Sequence, residues 1–581
     1  MGYMRGTNVL LDLVGSKNAR RFDDSVPTVP PLLLSSDSRN NTTTKRNGNL
    51  MLHKQNHRNA SATGLFGLLL LSTMILPATA RADLITDLND RARIAFNASG
   101  QNFVLGMMQL AYVHAAIYDA VNAIDGRFAV YAVTPSSVPP GSSKEAAAIA
   151  AAYTVLIARL PLQAASLTVE YDALLAGIPD GPGKSQGVAI GVEVGSGILR
   201  ERAGDGLDAP PPPYVFGSGP GAYQRIPIFQ PRTDPILQAL IGVRPFTISS
   251  ASQFRAEGPP SLDSAEWAED YNEVKNLGAS NSPTRTAAQT QLAISYTENA
   301  MNYYTRIFRN VSAAQGLSLE ENARLFAMLS LAQADSFIAI FDSKYHFNFW
   351  RPYTAIHAGD TDGNSLTDLD TSWAPLAVTP PHPEYPAAHG VQSGTVAEIL
   401  RTFFGTKRIT IAFTPVVSGY TAGEITHHST DDMIEEVING RIFGGMHYRT
   451  SGRHGAIIGR KVAHWIADHY FQPVDPHADG QAGMGGGLRM TRVVEGDANA
   501  DGVVDLSDAV HTLGYLFSAQ EGTPACLRAA DANDDGAIDV SDAVYMLSFL
   551  FLGGPAPRPT LPEPADDDPF ADRLSCEEAV S

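Results

Sequence analysis

Three segments rich in basic and histidine side chains constrain the fold of this chain more than any other feature. They are FDSKYHFNFWRP with Lys344 and Arg351, HPEYPAAHG with His389, and NGRIFGGMHYR with Arg441 and His447. Lysine and arginine supply donors for a tetrahedral oxyanion, and histidine supplies a proton-transfer group, a nucleophile or a metal ligand. A fold that uses these residues together must bring all three segments to one pocket, which would suit phosphate or vanadate.

The composition excludes two classes of partner. Lys plus Arg number 42 against 61 Asp plus Glu, which gives a formal net charge of −19 over 581 residues. An acidic protein is repelled by nucleic acid and by anionic membrane surfaces. We therefore expect no nucleic-acid partner, and we expect any anion site to be a local basic pocket within an acidic molecule.

The spacing of apolar residues predicts a mainly helical protein. Helical patterns cover about 88–200, 264–276 and 284–298, and a Gly- and Pro-rich loop separates them at 204–235. The clearest helix is predicted over 319–345, where Ser318 and Glu321 form a capping-box sequence. Further helices are expected near 389–400, 431–443 and 453–469, with a short strand at 408–413. The hydroxyls of Ser429 and Thr430 can cap the second of these helices. The region 83–475 is therefore interpreted as one large, mainly α domain.

The first 82 residues have the features of a polar N-terminal extension followed by a signal peptide. Residues 64–77 form an apolar run too short to span a bilayer comfortably, Lys54 and Arg58 precede it, and small residues follow at 78–82. Met51 would give a signal of normal length and is the expected true start. A secreted, periplasmic or cell-surface protein without a stable membrane span is predicted, with a membrane anchor as the alternative.

Cys526 and Cys576 are the two cysteines of the chain. Because an exported protein meets an oxidising environment, a disulfide between them is possible, and two free thiols are the alternative.

An internal repeat with a period of 34 residues follows a Gly-rich linker at 476–494. GDANADGVVDLSDAV is echoed by ADANDDGAIDVSDAV, and each copy pairs an acidic loop with an apolar helix. Oxygen ligands at positions 1, 3, 5, 7, 9 and 12 of such a loop suit calcium, with a glycine at position 6 for the turn. The predicted ligands are Asp497, Asn499, Asp501, Val503, Asp505 and Asp508 in the first copy, and Asp531, Asn533, Asp535, Ala537, Asp539 and Asp542 in the second. The alternative is a pair of solvated acidic turns.

The two loops and their helices, at about 495–552, resemble the dockerin type I module, a small paired EF-hand-like unit. The resemblance implies calcium-dependent folding and a protein partner of the cohesin type. An attachment unit for a surface or a complex is the alternative, and a Pro- and Asp-rich tail follows at 553–581.

Local sequence predicts how the oxyanion residues are held. Lys344 and Arg351 are seven residues apart, so both could face one side of a helix that Pro352 would end. His389 is expected at the start of a helix, where free backbone N–H groups favour an anion. Gly444-Gly445 should break the helix that carries Arg441, so that His447 turns back to the same pocket.

The order Lys-x6-Arg-Pro, Pro-Ala-Ala-His and Gly-Arg-x5-His resembles the vanadium-dependent haloperoxidases and the type 2 phosphatidic acid phosphatases that share their fold. KYHFNFWRPYTAI, PPHPEYPAAHG, YVHAAIYDAVNAIDG and PDGPGKSQGVAIG favour the bacterial chloroperoxidase side. The resemblance spans roughly 85–470 and implies an all-α helical-bundle domain.

Carried over by position, the resemblance implies vanadate as cofactor and His447 as its protein ligand. His389 would be the acid–base group, and Lys344 would polarise the bound peroxide. The vanadate oxygens would be bound by three cationic side chains and one backbone N–H, those of Lys344, Arg351, Arg441 and Ala388. Hydrogen peroxide, a halide and small organic acceptors would be the substrates, and hypohalous acid the product.

Two sites depart from the family pattern, and a third residue bears on halide selectivity. Ala387-Ala388 replaces Ser-Gly, which removes a hydroxyl donor worth about 1.5–3 kcal/mol toward a charged group. Gly440 replaces the serine before Arg441. His382 occupies a position where chloroperoxidases have Phe and algal bromoperoxidases have His, which favours bromide or iodide over chloride.

Two other functions remain open at this point. In a phosphatase, His447 would attack phosphorus and His389 would protonate the leaving oxygen. Phosphatases of this type carry an Asp shortly after the final His to orient it, and HYRTSGRH contains no carboxylate, which disfavours this function. The remaining alternative is a calcium-dependent interaction protein whose catalytic site has decayed, because Ala387-Ala388 lacks the family's serine.

Overall fold

The computed structural model describes residues 83–226, 235–421, 423–474, 496, 498–499, 504–517, 527–533, 538–552 and 554. The predicted signal segment, Met51, the linker, both cysteines and the tail apart from Gly554 lie outside this part of the chain. Of the predicted calcium ligands, five also lie outside it: Asp497, Asp501, Val503, Asp535 and Ala537.

The residues up to 474 form helices joined by irregular segments and short strand pairs. The helices are α1 Leu84–Ala98, α2 Phe103–Asp125, α3 Lys144–Arg159, α4 Ala164–Ala176, α5 Pro182–Glu201, α6 Ala265–Gly278, α7 Ala287–Ser295, α8 Ala300–Gln315, α9 Leu319–Phe347, α10 Pro352–Ile356, α11 Ala388–Phe404, α12 Thr430–Phe443 and α13 Arg449–His469. Strands β1 Ile411–Phe413 and β4 Ile425–His427 pair antiparallel, as do β2 Val416–Val417 and β3 Tyr420–Thr421. The all-α prediction is confirmed.

Helices α2 and α9 pack against each other and form the centre of the core. Both are long and apolar enough to cross a membrane, but 94% and 100% of their most apolar stretches are buried inside the protein. A helix that is apolar on all sides is expected in the core of a large domain. Burial in the core of the protein therefore explains why α2 and α9 are so apolar.

Most of the predicted helices are present with small shifts at their ends. The capping box at the start of α9 forms as predicted, because Ser318 Oγ accepts from Glu321 N and Glu321 Oε2 accepts from Ser318 N. Ser429 caps α12 through its hydroxyl. Helix α8 was not predicted, although it separates α7 from α9 and packs against α1 and β1.

The expectation that Pro352 ends the helix of Lys344 and Arg351 is wrong. Helix α9 ends at Phe347, where Asn348 adopts a left-handed conformation with φ 50°. Arg351 is the N-cap residue of α10, and Pro352 occupies its first turn. Proline suits the first turn of a helix because its missing N–H would have no intrahelical partner there. Lys344 and Arg351 therefore lie on separate helices.

Glycines let α11 and α13 approach closely enough for backbone contact. A Cβ at Gly390 would lie 2.2 Å from the carbonyl oxygen of Gly452, and a Cβ at Gly394 would lie 2.3 Å from that of Ala456. Neither position accepts a larger residue without moving a helix. This contact fixes the N-terminal end of α11, which carries His389.

The two copies of the repeat contain α14 Leu506–Phe517, α15 Leu527–Ala530 and α16 Val540–Leu552, and α14 packs against α16. A small core joins them, made of Ala509, Ala532, Ala543 and Met546. Each acidic loop is followed by an apolar helix, as the sequence predicts.

Candidate active site

The three oxyanion segments converge on one cavity of about 560 Å³. Five of the predicted residues line it: His382, Ala388, His389, Arg441 and His447. Lys344 and Arg351 are fully buried beside these residues but do not form the cavity wall. The structure therefore brings the predicted residues together in two layers, with two of the three cations behind the surface.

Arg351 joins the second and third segments. Its Nε donates to the His382 carbonyl at 2.8 Å and one terminal nitrogen donates to the Met446 carbonyl at 3.0 Å. The terminal nitrogens also lie 3.2 Å from His447 Nε2 and 3.0 Å from His382 Nδ1. A guanidinium is a donor only, so His447 Nε2 must carry a lone pair, whereas His382 Nδ1 also lies 3.1 Å from the Pro383 carbonyl.

Lys344 holds the segment before α11 in place. Its Nζ donates to the carbonyl oxygens of Pro383 at 3.1 Å and Glu384 at 2.7 Å, and to that of Pro386. An ammonium group has three N–H donors, and all three are used here. Burial lowers the pKa of Lys344 well below its usual value and Arg351 adds to this shift, while the three carbonyl acceptors favour the ammonium form. Donation to an oxyanion would require the loss of one of these bonds.

Glu384 is a functional residue that the sequence interpretation missed. Its Oε1 lies 2.7 Å from His447 Nδ1 and accepts from the Tyr448 backbone N–H at 3.2 Å. Because Arg351 donates to Nε2, the imidazole proton is on Nδ1 and is donated to Glu384. The carboxylate that HYRTSGRH lacks is therefore supplied by a different segment. A glutamate flanked by apolar and proline residues in HPEYP was the available signal.

Burial and neighbouring cations keep the histidines of the site neutral. Burial is the largest cause that lowers the pKa of His447 well below its usual value, and Arg351 and Lys344 add to it. The pKa of His389 is lowered by burial and by Arg441 in the same way. A neutral imidazole presents the lone pair that a metal ligand or a nucleophile needs.

Glu384 is the one carboxylate among the residues that surround His447 within the described chain. Burial raises its pKa to about 7, while Lys344 and Arg351 oppose the shift. Three buried cations, Lys344, Arg351 and Arg441, therefore face one carboxylate. Buried charges require compensation, so this imbalance favours an anion in the cavity.

Arg441 retains a donor for that anion. Its terminal nitrogens donate to the Tyr296 carbonyl at 2.8 Å and to Met446 Sδ at 3.0 Å. Its Nε is buried and has no hydrogen-bond partner in the described structure. Burial lowers the pKa of Arg441 to about 9, which leaves the guanidinium charged at pH 7. An unpartnered buried N–H costs about 1–3 kcal/mol, which an oxyanion would recover.

These residues fit a tetrahedral oxyanion such as vanadate or phosphate. The unpartnered Arg441 Nε and the backbone at the start of α11 supply donors. The lone pair on His447 Nε2 accepts from Arg351 here and would bond the oxyanion's central atom in place of that contact. No metal-binding group of three or more His, Cys, Asp or Glu side chains occurs among the described residues. The donor set therefore suits an anionic group better than a free cation.

Structure explains one of the two departures from the family pattern. A Cβ at Gly440 would lie 2.8 Å from the ring of Tyr296, so the tyrosine fills the space that a serine would need. Ala387 is buried at the N-cap of α11, which has no side-chain cap. The loss of the hydroxyl at Ala387 is not replaced by another side chain at that helix end.

Beyond the oxyanion residues, the cavity wall is largely apolar. Aromatic and aliphatic side chains from α2, α7, α9, the segment before α6 and the segment after α10 supply it, including Phe103, Phe337, Phe341, Ile294 and Leu376. His382 contacts Phe341 edge-on, with ring centroids 5.3 Å apart. The polar residues of the anion site thus lie at one side of an apolar chamber.

The described calcium-loop residues repeat the same contacts in both copies. Asp508 accepts from the backbone N–H groups of Asn499 and Asp505, at 3.1 and 2.8 Å. In the second copy, Asp542 accepts from Asn533 and Asp539 at 3.3 and 2.8 Å. Asp508 and Asp542 are both fully buried, so position 12 closes each loop in the same way. Asp531 is also buried at position 1.

Comparison with known proteins matches two segments of the chain to families. Residues 324–476 match the model of the VCPO second helical-bundle domain, and residues 495–550 match that of the dockerin type I domain. The first segment contains all the oxyanion residues and Glu384.

Among curated proteins, the chain is 23% identical over 221 residues to the vanadium chloroperoxidase of Curvularia inaequalis. That alignment covers 33% of this chain and 35% of the relative, so it spans about a third of the relative's length.

Solved structures of two bacterial enzymes share the fold. A vanadium-dependent iodoperoxidase aligns with a TM-score of 0.57 at 22% identity, covering 68% of this chain and 98% of that one. A holo-type vanadium-dependent chloroperoxidase aligns with a TM-score of 0.53 at 15% identity, covering 63% and 91%. The chain thus has the helical fold of the vanadium haloperoxidases, carries their second helical-bundle domain, and continues into a dockerin type I domain.

Proposed function

We propose that this chain is a vanadate-dependent haloperoxidase that oxidises a halide with hydrogen peroxide to hypohalous acid. The observation that carries the proposal is the neutral His447, whose Nε2 lone pair lies among three buried cations. The same nitrogen would bond vanadium in place of its hydrogen bond from Arg351, while Arg351 and Arg441 neutralise the oxyanion. The similarity to vanadium haloperoxidases supports vanadate as the anion.

Vanadate, when bound, would supply a Lewis acid that activates peroxide without changing oxidation state. The residues of the chain would bind and orient it. Glu384 fixes the tautomer of His447, Arg351 positions both His447 and His382, and Arg441 offers its free Nε to an oxygen. Lys344 would act through its charge and by holding the 383–386 backbone, which presents Ala388 and His389.

His389 would hold and release the proton exchanged with peroxide. It lies in the first turn of α11 and lines the cavity. Its lowered pKa makes it a proton acceptor in the resting site. Accepting a proton from peroxide and returning it to the leaving oxygen is the acid–base cycle expected of such a group.

His382 is the residue that would select the halide. It lines the cavity, and its Nδ1 lies 3.0 Å from an Arg351 terminal nitrogen and 3.1 Å from the Pro383 carbonyl. We propose bromide or iodide as the substrate, because an imidazole in an otherwise apolar wall favours binding of a large polarisable anion.

Reconstitution tests the proposal. Purified protein is loaded with orthovanadate and assayed for peroxide-dependent oxidation of iodide, bromide and chloride. We expect turnover with bromide or iodide in the wild type and none in His447→Ala, which removes the protein ligand but leaves the cations. His357→Ala is the matched control, because His357 contacts the Trp373 carbonyl and does not line the cavity. If the wild type binds vanadate but oxidises none of the three halides, the proposal is contradicted.

A phosphomonoester hydrolase is the second candidate, and Glu384 is the observation that favours it. A carboxylate against Nδ1 is what a nucleophilic histidine requires, and here it comes from HPEYP instead of the segment after His447. His389 would then protonate the leaving oxygen. Hydrolysis of p-nitrophenyl phosphate, measured in parallel without vanadate, separates the two functions, since vanadate should inhibit the phosphatase and activate the peroxidase.

We also propose that the C-terminal module binds two calcium ions and a cohesin-type partner. The match to the dockerin type I domain and the repeated contacts of Asp508 and Asp542 support this. Export to the cell surface or medium remains our proposal from the sequence. Mass spectrometry of the mature N-terminus would test it, with cleavage expected near Ala80 or Ala82.

A further inference from the structure

We propose that Met446 is an oxidation site within the oxyanion pocket, and that its conversion to methionine sulfoxide lowers the affinity of the pocket for vanadate. The inference rests on the proposed function, because it names a means by which that same site is regulated. The oxidants are hydrogen peroxide, the oxidising substrate, and hypohalous acid, the product. Accumulation of either oxidant would then release the anion on which activity depends.

Met446 contacts two of the three buried cations. Its carbonyl accepts from Arg351 at 3.0 Å, and its Sδ accepts from a terminal nitrogen of Arg441, also at 3.0 Å. Its backbone N–H donates to the Arg441 carbonyl at 3.1 Å. Met446 directly precedes His447, is 1% exposed and lines the cavity. A chemical change in its side chain therefore takes place at the oxyanion site itself.

Met446 supplies the one sulfur atom among the described residues that line the cavity, since no cysteine and no other methionine is found in that wall. The other methionines of the described helical domain are buried elsewhere in the core: Met107, Met108, Met301, Met328 and Met433. Thioether sulfur is oxidised by oxygen transfer to the sulfoxide. An oxidant that is bound or formed in the cavity therefore meets this sulfur before any other.

The oxidation needs no reagent beyond those of the proposed reaction. With hydrogen peroxide, the Sδ lone pair attacks one oxygen, the O–O bond breaks and an S–O bond forms, and the second oxygen leaves as water with both protons. With hypohalous acid, the oxygen is transferred to Sδ, and halide and a proton leave. In each case sulfur loses two electrons and the oxidant gains them. The thioether becomes a polar sulfoxide.

The orientation of Arg441 indicates what the added oxygen would do. Its Nη1 donates to the Tyr296 carbonyl, its Nη2 donates to Met446 Sδ, and its Nε has no partner within the described chain. Nε and Nη2 lie along one edge of the planar guanidinium, which presents its donors as a fork. An oxygen attached to Sδ is added at this edge, where the unpartnered Nε is available to an oxyanion.

Oxidation replaces a weak acceptor with a strong one at this edge. A thioether sulfur accepts hydrogen bonds weakly, whereas a sulfoxide oxygen carries partial negative charge and makes a stronger bond to a guanidinium. The side chain is held close to Arg441, because its Cε packs where a Cβ at Gly444 would lie only 2.5 Å away. Vanadate must then compete with the sulfoxide for Arg441. Losing one hydrogen bond to a charged group weakens binding about tenfold to a hundredfold.

The first experiment treats the vanadate-free full-length protein with hydrogen peroxide and removes the excess with catalase. Peptide mapping by mass spectrometry should show that Met446 gains one oxygen before Met328, which is buried in α9 outside the cavity. Titrations with orthovanadate and with inorganic phosphate should both show affinities about tenfold or more lower after treatment. Oxidation of Met328 before Met446, or unchanged affinities after Met446 is oxidised, would overturn the inference.

A matched pair of variants assigns the effect to one sulfur. Met446→Leu removes the sulfur at similar volume, so the ratio of its vanadate dissociation constants after and before peroxide should be close to one. Met328→Leu is the control and should show the same loss of affinity as the wild type. Thermal unfolding identifies any variant that fails to fold. An equal loss of affinity in Met446→Leu and in the wild type would place the effect at another residue and overturn the inference.

A third variant tests the contact with Arg441 without any oxidant. Met446→Gln places an amide oxygen near the Nε–Nη2 edge, and it should bind vanadate about tenfold more weakly than Met446→Leu. Equal affinities of these two variants would show that an acceptor at this position does not occupy Arg441, which would also overturn the inference.

The untreated wild type separates this inference from the proposed function. If it binds phosphate but not vanadate, the proposed function is contradicted, and the phosphate titrations still decide whether oxidation of Met446 weakens the pocket. If it binds vanadate and oxidises halide, but peroxide leaves both affinities unchanged, the inference alone fails. Binding of neither anion would overturn both.

Discussion

The Glu384–His447 pair defines the site at the scale of single residues. A carboxylate that accepts from the second nitrogen of a ligating histidine fixes its tautomer and orientation. The Glu384 backbone is itself held from two sides, because its N–H donates to the Phe349 carbonyl and its carbonyl accepts from Lys344. His447 is therefore oriented before any anion binds.

We expect Glu384→Ala to weaken vanadate about 10- to 100-fold, the usual cost of losing such an outer contact. Glu384→Gln should recover most of this loss, because its amide oxygen can still accept from Nδ1. The measurement is vanadate titration followed by ultrafiltration. Glu398→Gln is the matched control, since Glu398 is equally buried beside His464, at 2.9 Å, but lies outside the cavity. If both alanine and glutamine variants bind vanadate like the wild type, Glu384 does not position His447.

Ala387 offers a gain-of-function prediction. It is the N-cap of α11 and has no side-chain cap. A serine hydroxyl there can accept from a free backbone N–H of the first turn and donate its own proton to an oxyanion, because it is both donor and acceptor. We expect Ala387→Ser to stabilise the fold by about 1 kcal/mol and to tighten vanadate severalfold to about a hundredfold. Denaturant unfolding and vanadate titration measure the two effects separately.

The vanadate titration of Ala387→Ser decides whether residue 387 faces the anion. A serine variant that is more stable but binds vanadate no better would show that the hydroxyl caps the helix without facing the anion. In that case residues 386–389 would contribute to the pocket through their backbone alone.

At the scale of helices, α2 carries a buried histidine that makes stability depend on pH. His114 is fully buried, and its Nε2 lies 2.8 Å from Asn89 Oδ1 of α1, while its Nδ1 has no partner in the described structure. Burial lowers the pKa of His114 to about 3. The unfolded chain takes up a proton near pH 6.5, where the folded chain does not. Stability is therefore present above pH 6.5 and is lost as the pH falls toward 3.

We expect His114→Gln to flatten this dependence, because an amide can keep the contact with Asn89 and does not titrate. The free energy of unfolding should fall less in the variant than in the wild type between pH 7 and pH 4, by up to about 1.4 kcal/mol per pH unit. Urea unfolding at a series of pH values measures it. His346→Gln, which changes an exposed histidine, is the control. If the free energy of unfolding falls equally with pH in the wild type and in His114→Gln, His114 does not cause the loss of stability at acid pH.

Sequence patterns predicted the helices whose signals are local. Ser318 and Glu321 marked the start of α9, and Ser429 marked that of α12, because capping depends on neighbours in the chain. Pro352 was misjudged since proline is compatible with a position after one helix and with the first turn of the next, and only the left-handed Asn348 decides between them.

The sequence predicted which residues meet at the candidate site, but not which of them line the cavity and which lie behind its wall. The spacing of the three segments identified the residues that meet at the cavity. The burial of Lys344 and Arg351 behind that surface depends on contacts with carbonyl groups distant in sequence, which no local pattern encodes. Glu384 was missed for the same reason, because its partner His447 is contributed by a different segment.

Charge separation characterises the molecule as a whole. The chain has a net charge of −19, whereas Lys344, Arg351 and Arg441 are buried at or behind one side of the cavity with Glu384 as their carboxylate neighbour. At physiological salt the Debye length is about 8 Å, so repulsion from the acidic surface is largely screened before an anion reaches the cavity. Anion binding is then governed by the buried groups, which solvent screens much less.

The C-terminal module gives the prediction that involves the full-length molecule. Two loops with the same hydrogen bonds to a fully buried aspartate predict two calcium sites. We expect calorimetric titration of the full-length protein to show two calcium ions, with one remaining in Asp508→Ala or Asp542→Ala and none in the double variant. Chelation should reduce helicity, because the small core of Ala509, Ala532, Ala543 and Met546 cannot hold α14 and α16 together without the closed loops.

The control for calcium binding is Asp180→Ala, which removes an exposed carboxylate paired only with Lys184 and should leave both sites unchanged. Calcium should be bound equally by His447→Ala, because the anion site and the loops use different residues. Two ions bound by the double variant would place calcium elsewhere on this acidic chain. Retention of full helicity after chelation, with calcium bound beforehand, would show that the loops bind the ion without using it to fold. Either result would contradict the proposal that calcium bound by the two loops folds this module for a partner.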